Sequence, residues 1–130
     1  MQRPETSSAH APRILIVEDE YYLADDLARA LRAHGSQVVG PVGTLEEAQL
    51  MVEARQFDCA ILDMNLRGDM AFPIADALER AGIPFLVATG YNGASLPDRL
   101  AAAPRIEKPF DVAQVIALLP GVLAKVEPPT

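Results

Sequence analysis

Four short apolar runs, each followed at once by polar side chains, constrain the fold of this chain more than any other feature. Short apolar runs of this kind are typical of strands that are buried on both faces, and helical patterns lie between them. This alternation predicts a parallel sheet with helices on both of its faces. The polar residues that follow the runs are Glu18 with Asp19, then Asp63, Thr89 and Lys108.

The same pattern predicts an α/β fold with a single doubly wound, five-stranded parallel sheet. The expected strands are Arg13–Val17, Gln37–Val42, Cys59–Asp63, Phe85–Thr89 and Arg105–Glu107. Right-handed crossovers favour the flavodoxin-like strand order 2-1-3-4-5 for such a sheet. Helices are expected over 21–34, from a Thr44 cap to about residue 55, over 72–81, weakly over 96–102, and over 112–119.

Two segments of the chain carry strong breaking signals. A loop is expected after the third strand, where Asn65, Gly68 and Asp69 stand close together. Pro120 and Gly121 should break or kink the last helix before 122–126.

Composition limits the class of protein. The 130 residues fit one domain with one core, and a net charge of −7 argues against direct binding to nucleic acid or an anionic membrane. No apolar stretch is long enough to span a bilayer and no signal peptide is visible, so we expect a cytoplasmic protein. The domain is expected over 13–126, between a disordered tail at 1–12 and a short tail at 127–130.

The polar residues should meet at one edge of the sheet, because ligands of open α/β sheets bind outside the carboxyl ends of the strands. Strands one and three are neighbours in the expected order, so Glu18, Asp19 and Asp63 should converge. Carboxylates that lie so close to one another repel each other. A Mg²⁺ ion relieves the repulsion, because carboxylate oxygens are ligands that suit it. Lys108 is not needed to bind the metal, but its ammonium suits a phosphoryl group placed beside it.

Each of these residues also has a plainer interpretation. Glu18 and Asp19 are common types at helix N-termini, Asp63 could start a turn, and Lys108 alone would be read as a solvated lysine. Thr89 could be only the end of a strand. Coincidence at four strand ends is improbable, which favours the functional interpretation of the whole set.

Over 13–126 the motifs resemble the receiver domain of two-component response regulators. The resemblance implies that Asp63 accepts a phosphoryl group and that Asp19, Asp63 and the backbone carbonyl of Asn65 ligate Mg²⁺. Glu18 matches a position usually held by aspartate and would reach the metal through water. Lys108 would pair with the phosphoryl oxygens, and Thr89 would donate its hydroxyl to the same group.

The stretch Ala88-Thr89-Gly90-Tyr91 is similar to the signature of the FATGUY subgroup, whose members are often single domains. Many receivers carry an aromatic residue three positions before the lysine, but here that position is Arg105. The aromatic partner of the usual threonine coupling is therefore absent from this position. Tyr91 and the marginal segment over 90–103 are expected to respond to phosphorylation instead.

The resemblance implies a phosphoacceptor and not an enzyme. Its donor would be a phosphohistidine on a histidine kinase or a histidine phosphotransfer protein, and its downstream protein partner is left open, as is the choice between switch, relay and phosphate sink. A monomer or weak dimer is expected. No output domain fits within the chain, although a segment of a longer protein would look the same.

The residues bear on three rival functions. A non-phosphorylated, receiver-like interaction scaffold is the main alternative, and the intact set of Asp19, Asp63, Thr89 and Lys108 speaks against it. Flavin binding would need a phosphate-cradling loop that the sequence does not offer. A metal-dependent phosphatase with an aspartate nucleophile would need a second acid two residues after Asp63. Asn65 occupies that position, which speaks against this function.

Overall fold

The computed structural model describes residues 11–90, 96–100 and 102–126. The elements, in chain order, are β1 (Arg13–Val17), α1 (Tyr21–Ala33), β2 (Gln37–Val42), α2 (Leu45–Ala54), β3 (Cys59–Asp63), β4 (Asn65–Leu66), β5 (Asp69–Met70), α3 (Phe72–Ala81), β6 (Phe85–Thr89), a 3-10 turn (Asp98–Leu100), β7 (Arg105–Glu107) and α4 (Val112–Leu123).

Five parallel strands form the main sheet in the order β2-β1-β3-β6-β7. This is the predicted 2-1-3-4-5 topology, because β4 and β5 form a separate two-stranded sheet and shift only the numbering. All five predicted strands have the predicted bounds. The fold class read from the sequence is confirmed.

The sheet separates two apolar layers. Leu15 and Val17 face a layer completed by α2 and α3, whereas Ile14 and Ile16 face a layer completed by α1 and α4. Successive residues of a strand point to opposite faces, which explains why β1 is apolar throughout. Cys59 is fully buried, as expected, and burial together with the nearby Asp58 raises the pKa of its thiol to about 12.

Side-chain caps set the start of two helices. Thr44 Oγ1 accepts a hydrogen bond from the backbone N–H of Glu47 at 3.1 Å, as the predicted capping box requires. The Glu47 carboxylate accepts from the backbone N–H of Gly43 rather than from that of Thr44. At the start of α4, the backbone N–H of Asp111 donates to Gln114 Oε1 at 2.8 Å.

Three local predictions were wrong. The loop expected after β3 is a hairpin, β4 to β5, with Asn65 paired to Met70 and Leu66 paired to Asp69. A helix was expected over 96–102, but the residues described there form only a 3-10 turn, Asp98–Leu100. Pro97 and Pro104 bound the segment and leave it too short for a regular helix. Helix α4 does not break at Pro120 but continues to Leu123, because only one N–H is lost near its end while buried Leu119 and Val122 hold that turn on the sheet. A kink at Pro120 stays a prediction.

The end of β2 departs from a regular strand. The pairing register of β1 with β2 shifts between Leu15 and Val17, and Gly40 takes a φ of +87° at the irregularity. A Cβ at Gly40 would lie 2.9 Å from the backbone nitrogen of Val42 and 3.1 Å from the carbonyl of Ile16. Glycine is therefore required, and the bulge turns the Val42 carbonyl toward the loop that follows β1.

No helix within the described ranges is both long and apolar enough to cross a membrane.

Candidate functional site

The loop after β1 carries the first two acids. The backbone N–H of Glu18 donates to the Val42 carbonyl at 2.9 Å, so the bulge of β2 fixes the start of the loop. The Glu18 carboxylate turns back and accepts from the backbone N–H of Glu20 at 2.9 Å. Glu18 is buried and Asp19 half-buried, and a Cβ at Gly43 would lie only 3.3 Å from the Asp19 Cα. Glycine at position 43 lets the two loops come this close.

Asp63 ends β3 and is buried at 2% exposure. Its Oδ1 accepts from the backbone N–H of Asn65 at 3.0 Å, which holds the carboxylate in the site. The next backbone N–H, that of Met64, donates to the Ala88 carbonyl at 3.0 Å. The phosphoacceptor predicted from sequence therefore has a fixed backbone and a fixed side chain.

The three acids converge as predicted. Glu18, Asp19 and Asp63 each place a carboxylate oxygen within 4.8 Å of the others. Oxygen donors this close suit a hard divalent cation such as Mg²⁺, which takes one or two carboxylates and completes its shell with water. The donor set of Glu18, Asp19 and Asp63 therefore fits magnesium.

Lys108 closes the other side of the cluster. Its Nζ lies 2.8 Å from Asp63 Oδ2 and 3.1 Å from Glu18 Oε1. The backbone N–H of Lys108 donates to the Thr89 carbonyl at 2.7 Å, which ties the end of β7 to the end of β6. The single ammonium contacts both buried acids and offsets part of their negative charge.

The electrostatics of the cluster are unusual at two residues. Burial, with a smaller contribution from the charge of Asp63, raises the pKa of Glu18 to about 7, although the hydrogen bond from Glu20 and the Lys108 ammonium act in the other direction. Burial lowers the pKa of Lys108, but its contacts with Asp63 and Glu18 outweigh burial and raise that pKa above its usual value. Lys108 is thus a permanent cation in this site.

The remaining predicted residues lie at the same edge. Thr89 ends β6, is buried, and pairs with Glu107 across the sheet. Asn65 begins β4, and its side-chain oxygen accepts from the backbone N–H of Gly68 at 2.7 Å. Its backbone carbonyl as a metal ligand stays a prediction. Arg105 is exposed on the edge strand β7, and Tyr91 falls outside the described residues.

Two residues outside the predicted ligand and phosphoryl-binding set also lie at this site. Arg67 Nε lies 3.9 Å from Asp19 Oδ2, and Gly43 packs against the Asp19 backbone. The position of Arg67 in the segment that follows Asp63 is the signal in the sequence that places it near the site. Nothing in the sequence indicated the close approach of Gly43.

The comparisons with known proteins agree with this arrangement. The response regulator receiver domain family matches residues 14–119. The solution structure of SdrG from Sphingomonas melonis Fr1 has a TM-score of 0.76 and 39% identity, covering 88% of this chain and 98% of that chain. The BeF3-activated conformation of SdrG, from Pseudomonas melonis Fr1, has a TM-score of 0.73 at the same identity and the same coverage.

A curated relative, the transcriptional regulatory protein PdtaR of Mycobacterium tuberculosis, is 29% identical over 116 residues. The match covers 86% of this chain and 57% of that protein. The chain spans about half the length of the curated relatives it matches.

Proposed function

This chain belongs to the response regulator receiver domain family, and we propose that it receives a phosphoryl group on Asp63 in a Mg²⁺-dependent reaction. One observation carries the proposal. Asp63 shares a cluster within 4.8 Å with Glu18 and Asp19, and the same carboxylate is 2.8 Å from the Lys108 ammonium. The acceptor thus lies between a candidate cation site and a fixed positive charge.

Charge neutralisation is what this reaction demands. Phosphoryl transfer depends mainly on positioning and on stabilising the charge of the transferred oxygens. A carboxylate is already deprotonated at neutral pH, so Asp63 needs no general base. Bound Mg²⁺ would supply Lewis-acid neutralisation of the phosphoryl oxygens, held by Asp19 and Asp63 with the Asn65 carbonyl and with Glu18 through water.

Lys108 and Thr89 act on the opposite side of the transferred group. The Lys108 ammonium exchanges its contact with the Asp63 carboxylate for a phosphoryl oxygen, since an ammonium has only donors to offer. The Thr89 hydroxyl, at the end of the adjacent strand, donates to a second oxygen. The carbonyl of Thr89 accepts a hydrogen bond from the backbone N–H of Lys108, which keeps the two residues side by side at the ends of their strands.

The donor is a phosphohistidine on a histidine kinase or on a histidine phosphotransfer protein. A carboxylate oxygen of Asp63 forms a bond to phosphorus while the phosphorus–nitrogen bond breaks. The imidazole nitrogen keeps the electron pair and takes a proton from solvent. Such partners phosphorylate in the cytoplasm, which is where we place this domain. The BeF3-activated conformation of SdrG supports the proposal, because beryllofluoride imitates a phosphoryl group on a carboxylate.

The test is labelling by acetyl phosphate, with and without Mg²⁺. Wild-type protein should gain one phosphoryl mass in Mg²⁺ and none in excess chelator. Asp63→Asn should remove the labelling, whereas Asp69→Asn, an exposed acid on the neighbouring hairpin, should leave it intact. The two variants make the same chemical change, so a difference between them reports position.

Undiminished labelling of Asp63→Asn, or of wild type in chelator, would overturn the proposal. Absence of labelling from every phosphodonor, together with unimpaired partner binding, would favour the interaction scaffold instead.

A further inference from the structure

Arg67 occupies a backbone conformation that its residue type does not favour. It stands at the tip of the β4–β5 hairpin with a φ of +55°, followed by Gly68 with a φ of +92°. Two-residue hairpin turns of this kind prefer asparagine, aspartate or glycine, and a larger residue is disfavoured in the left-handed region. A plain turn would be better served by asparagine at this position.

The hairpin that presents Arg67 is firmly held. Leu66 is 2% exposed and belongs to the apolar layer on the α2 and α3 side of the sheet. The backbone N–H of Ala71 donates to the Met64 carbonyl at 2.8 Å, which closes the base of the hairpin. The Arg67 backbone is therefore fixed relative to β3, four residues after Asp63.

The side chain of Arg67 contacts one acid of the cluster, Asp19. Its Nε lies 3.9 Å from Asp19 Oδ2. It also lines a cleft of about 450 Å³ beside the acids, with Tyr21 and Thr44 among the other walls. The acids thus have two cations around them, with Lys108 on Glu18 and Asp63 and Arg67 on Asp19.

We propose that Arg67 is a positioning residue that holds Asp19 in the metal-free protein and competes with Mg²⁺ for it. The inference rests on the proposed function, which assigns Asp19 to the metal. Metal binding must displace the guanidinium from Asp19 and then keep two positive charges close together, so Arg67 weakens Mg²⁺ binding. Phosphorylation consequently becomes more sensitive to the Mg²⁺ concentration.

The size of the effect follows from exposure. Arg67 is 74% exposed, and pairs of this kind are worth up to about 1 kcal/mol, or about two- to five-fold in an equilibrium constant. Salt screens such a pair, because the Debye length falls from about 10 Å at 0.1 M to about 3 Å at 1 M. The expected competition is modest and confined to low ionic strength.

The experiment measures the Mg²⁺ dissociation constant of the full chain from amide chemical shifts in 20 mM and in 1 M KCl, which are each about seven-fold away from physiological ionic strength, one below it and one above it. Arg67→Asn should bind Mg²⁺ about two- to five-fold more tightly than wild type in low salt, with the difference lost in high salt. Arg67→Lys should restore wild-type affinity. Asparagine tolerates the left-handed region, so the backbone is preserved.

Arg55→Asn is the matched control. Arg55 is also exposed and also has a positive φ, of +51°, but it lies at the C-terminal end of α2, whereas the N-terminal end faces the site. It should bind Mg²⁺ like wild type. An equal gain in both asparagine variants would overturn the inference, since overall charge would then explain it.

Unchanged or weaker binding by Arg67→Asn, with normal binding by wild type, would overturn the inference and leave the proposed function standing. A wild-type protein that binds no Mg²⁺ would overturn both.

Discussion

Burial disfavours the charged form of the Glu18 side chain. It is 5% exposed, and burial raises its pKa from 4.5 to about 7. Between these two pH values the folded chain holds a proton that the unfolded chain has released. The free energy of unfolding of the metal-free protein therefore falls as pH rises through this window, by up to about 3 kcal/mol from this group.

We predict that Glu18→Gln removes this slope. The amide keeps the shape of the side chain but has no charge to desolvate, so the variant should be more stable than wild type above pH 7 and similar to it near pH 4.5. Urea unfolding in chelator at several pH values measures the difference. If the stability of wild type rose relative to that of Glu18→Gln between pH 5 and 7, the raised pKa of Glu18 would be contradicted.

Lys108→Ala separates the metal from the phosphoryl group. The ammonium cannot be a metal ligand, and it competes with cations for Asp63 at 2.8 Å. We predict that the variant binds Mg²⁺ as tightly as wild type or more tightly, while its Thr89 amide no longer shifts on addition of beryllofluoride. Magnesium and beryllofluoride titrations followed by NMR give both quantities. Loss of Mg²⁺ binding would mean that Lys108 has another role.

At the scale of elements, the bulge of β2 links fold to site. Gly40 has a φ of +87° and no space for a Cβ, whereas Gly35 has a φ of +90° with nothing within 4 Å of the Cβ position. Gly40→Ala should cost more than about 2 kcal/mol of stability, and Gly35→Ala about 1 kcal/mol from the backbone alone. Urea unfolding of the two variants makes the comparison. Equal costs would show that the close contacts at Gly40 relax freely.

The main strands were predictable because their signals are strong and agree with one another. Cys59–Asp63 and Phe85–Thr89 are buried apolar runs bounded by turn residues, and the crossover rule then fixes their neighbours. The β4–β5 hairpin was missed because its strands have two residues each and an arginine at the turn. Local signals also cannot reveal that burial of Val122 keeps α4 helical beyond Pro120.

For the whole molecule, the sequence predicted which side chains meet but not how they are held. Strand order alone brought Glu18, Asp19 and Asp63 to one edge. The hydrogen bond from Glu18 to the Val42 carbonyl and the close approach of Gly43 to Asp19 both depend on tertiary packing between loops. Such packing leaves no local pattern in the sequence. The contact of Arg67 with Asp19 opposes the turn preference of arginine, so propensity could not have indicated it.

We infer that this fold gathers its acids and its lysine around Asp63 so that this carboxylate can accept a phosphoryl group. The most direct measurement is phosphotransfer from a phosphorylated histidine phosphotransfer protein, followed by mapping of the added mass by tandem mass spectrometry. We predict one phosphoryl group per chain, on Asp63, formed only with Mg²⁺ and absent from Asp63→Asn. A phosphoryl group mapped to any other residue of the wild-type chain would contradict it.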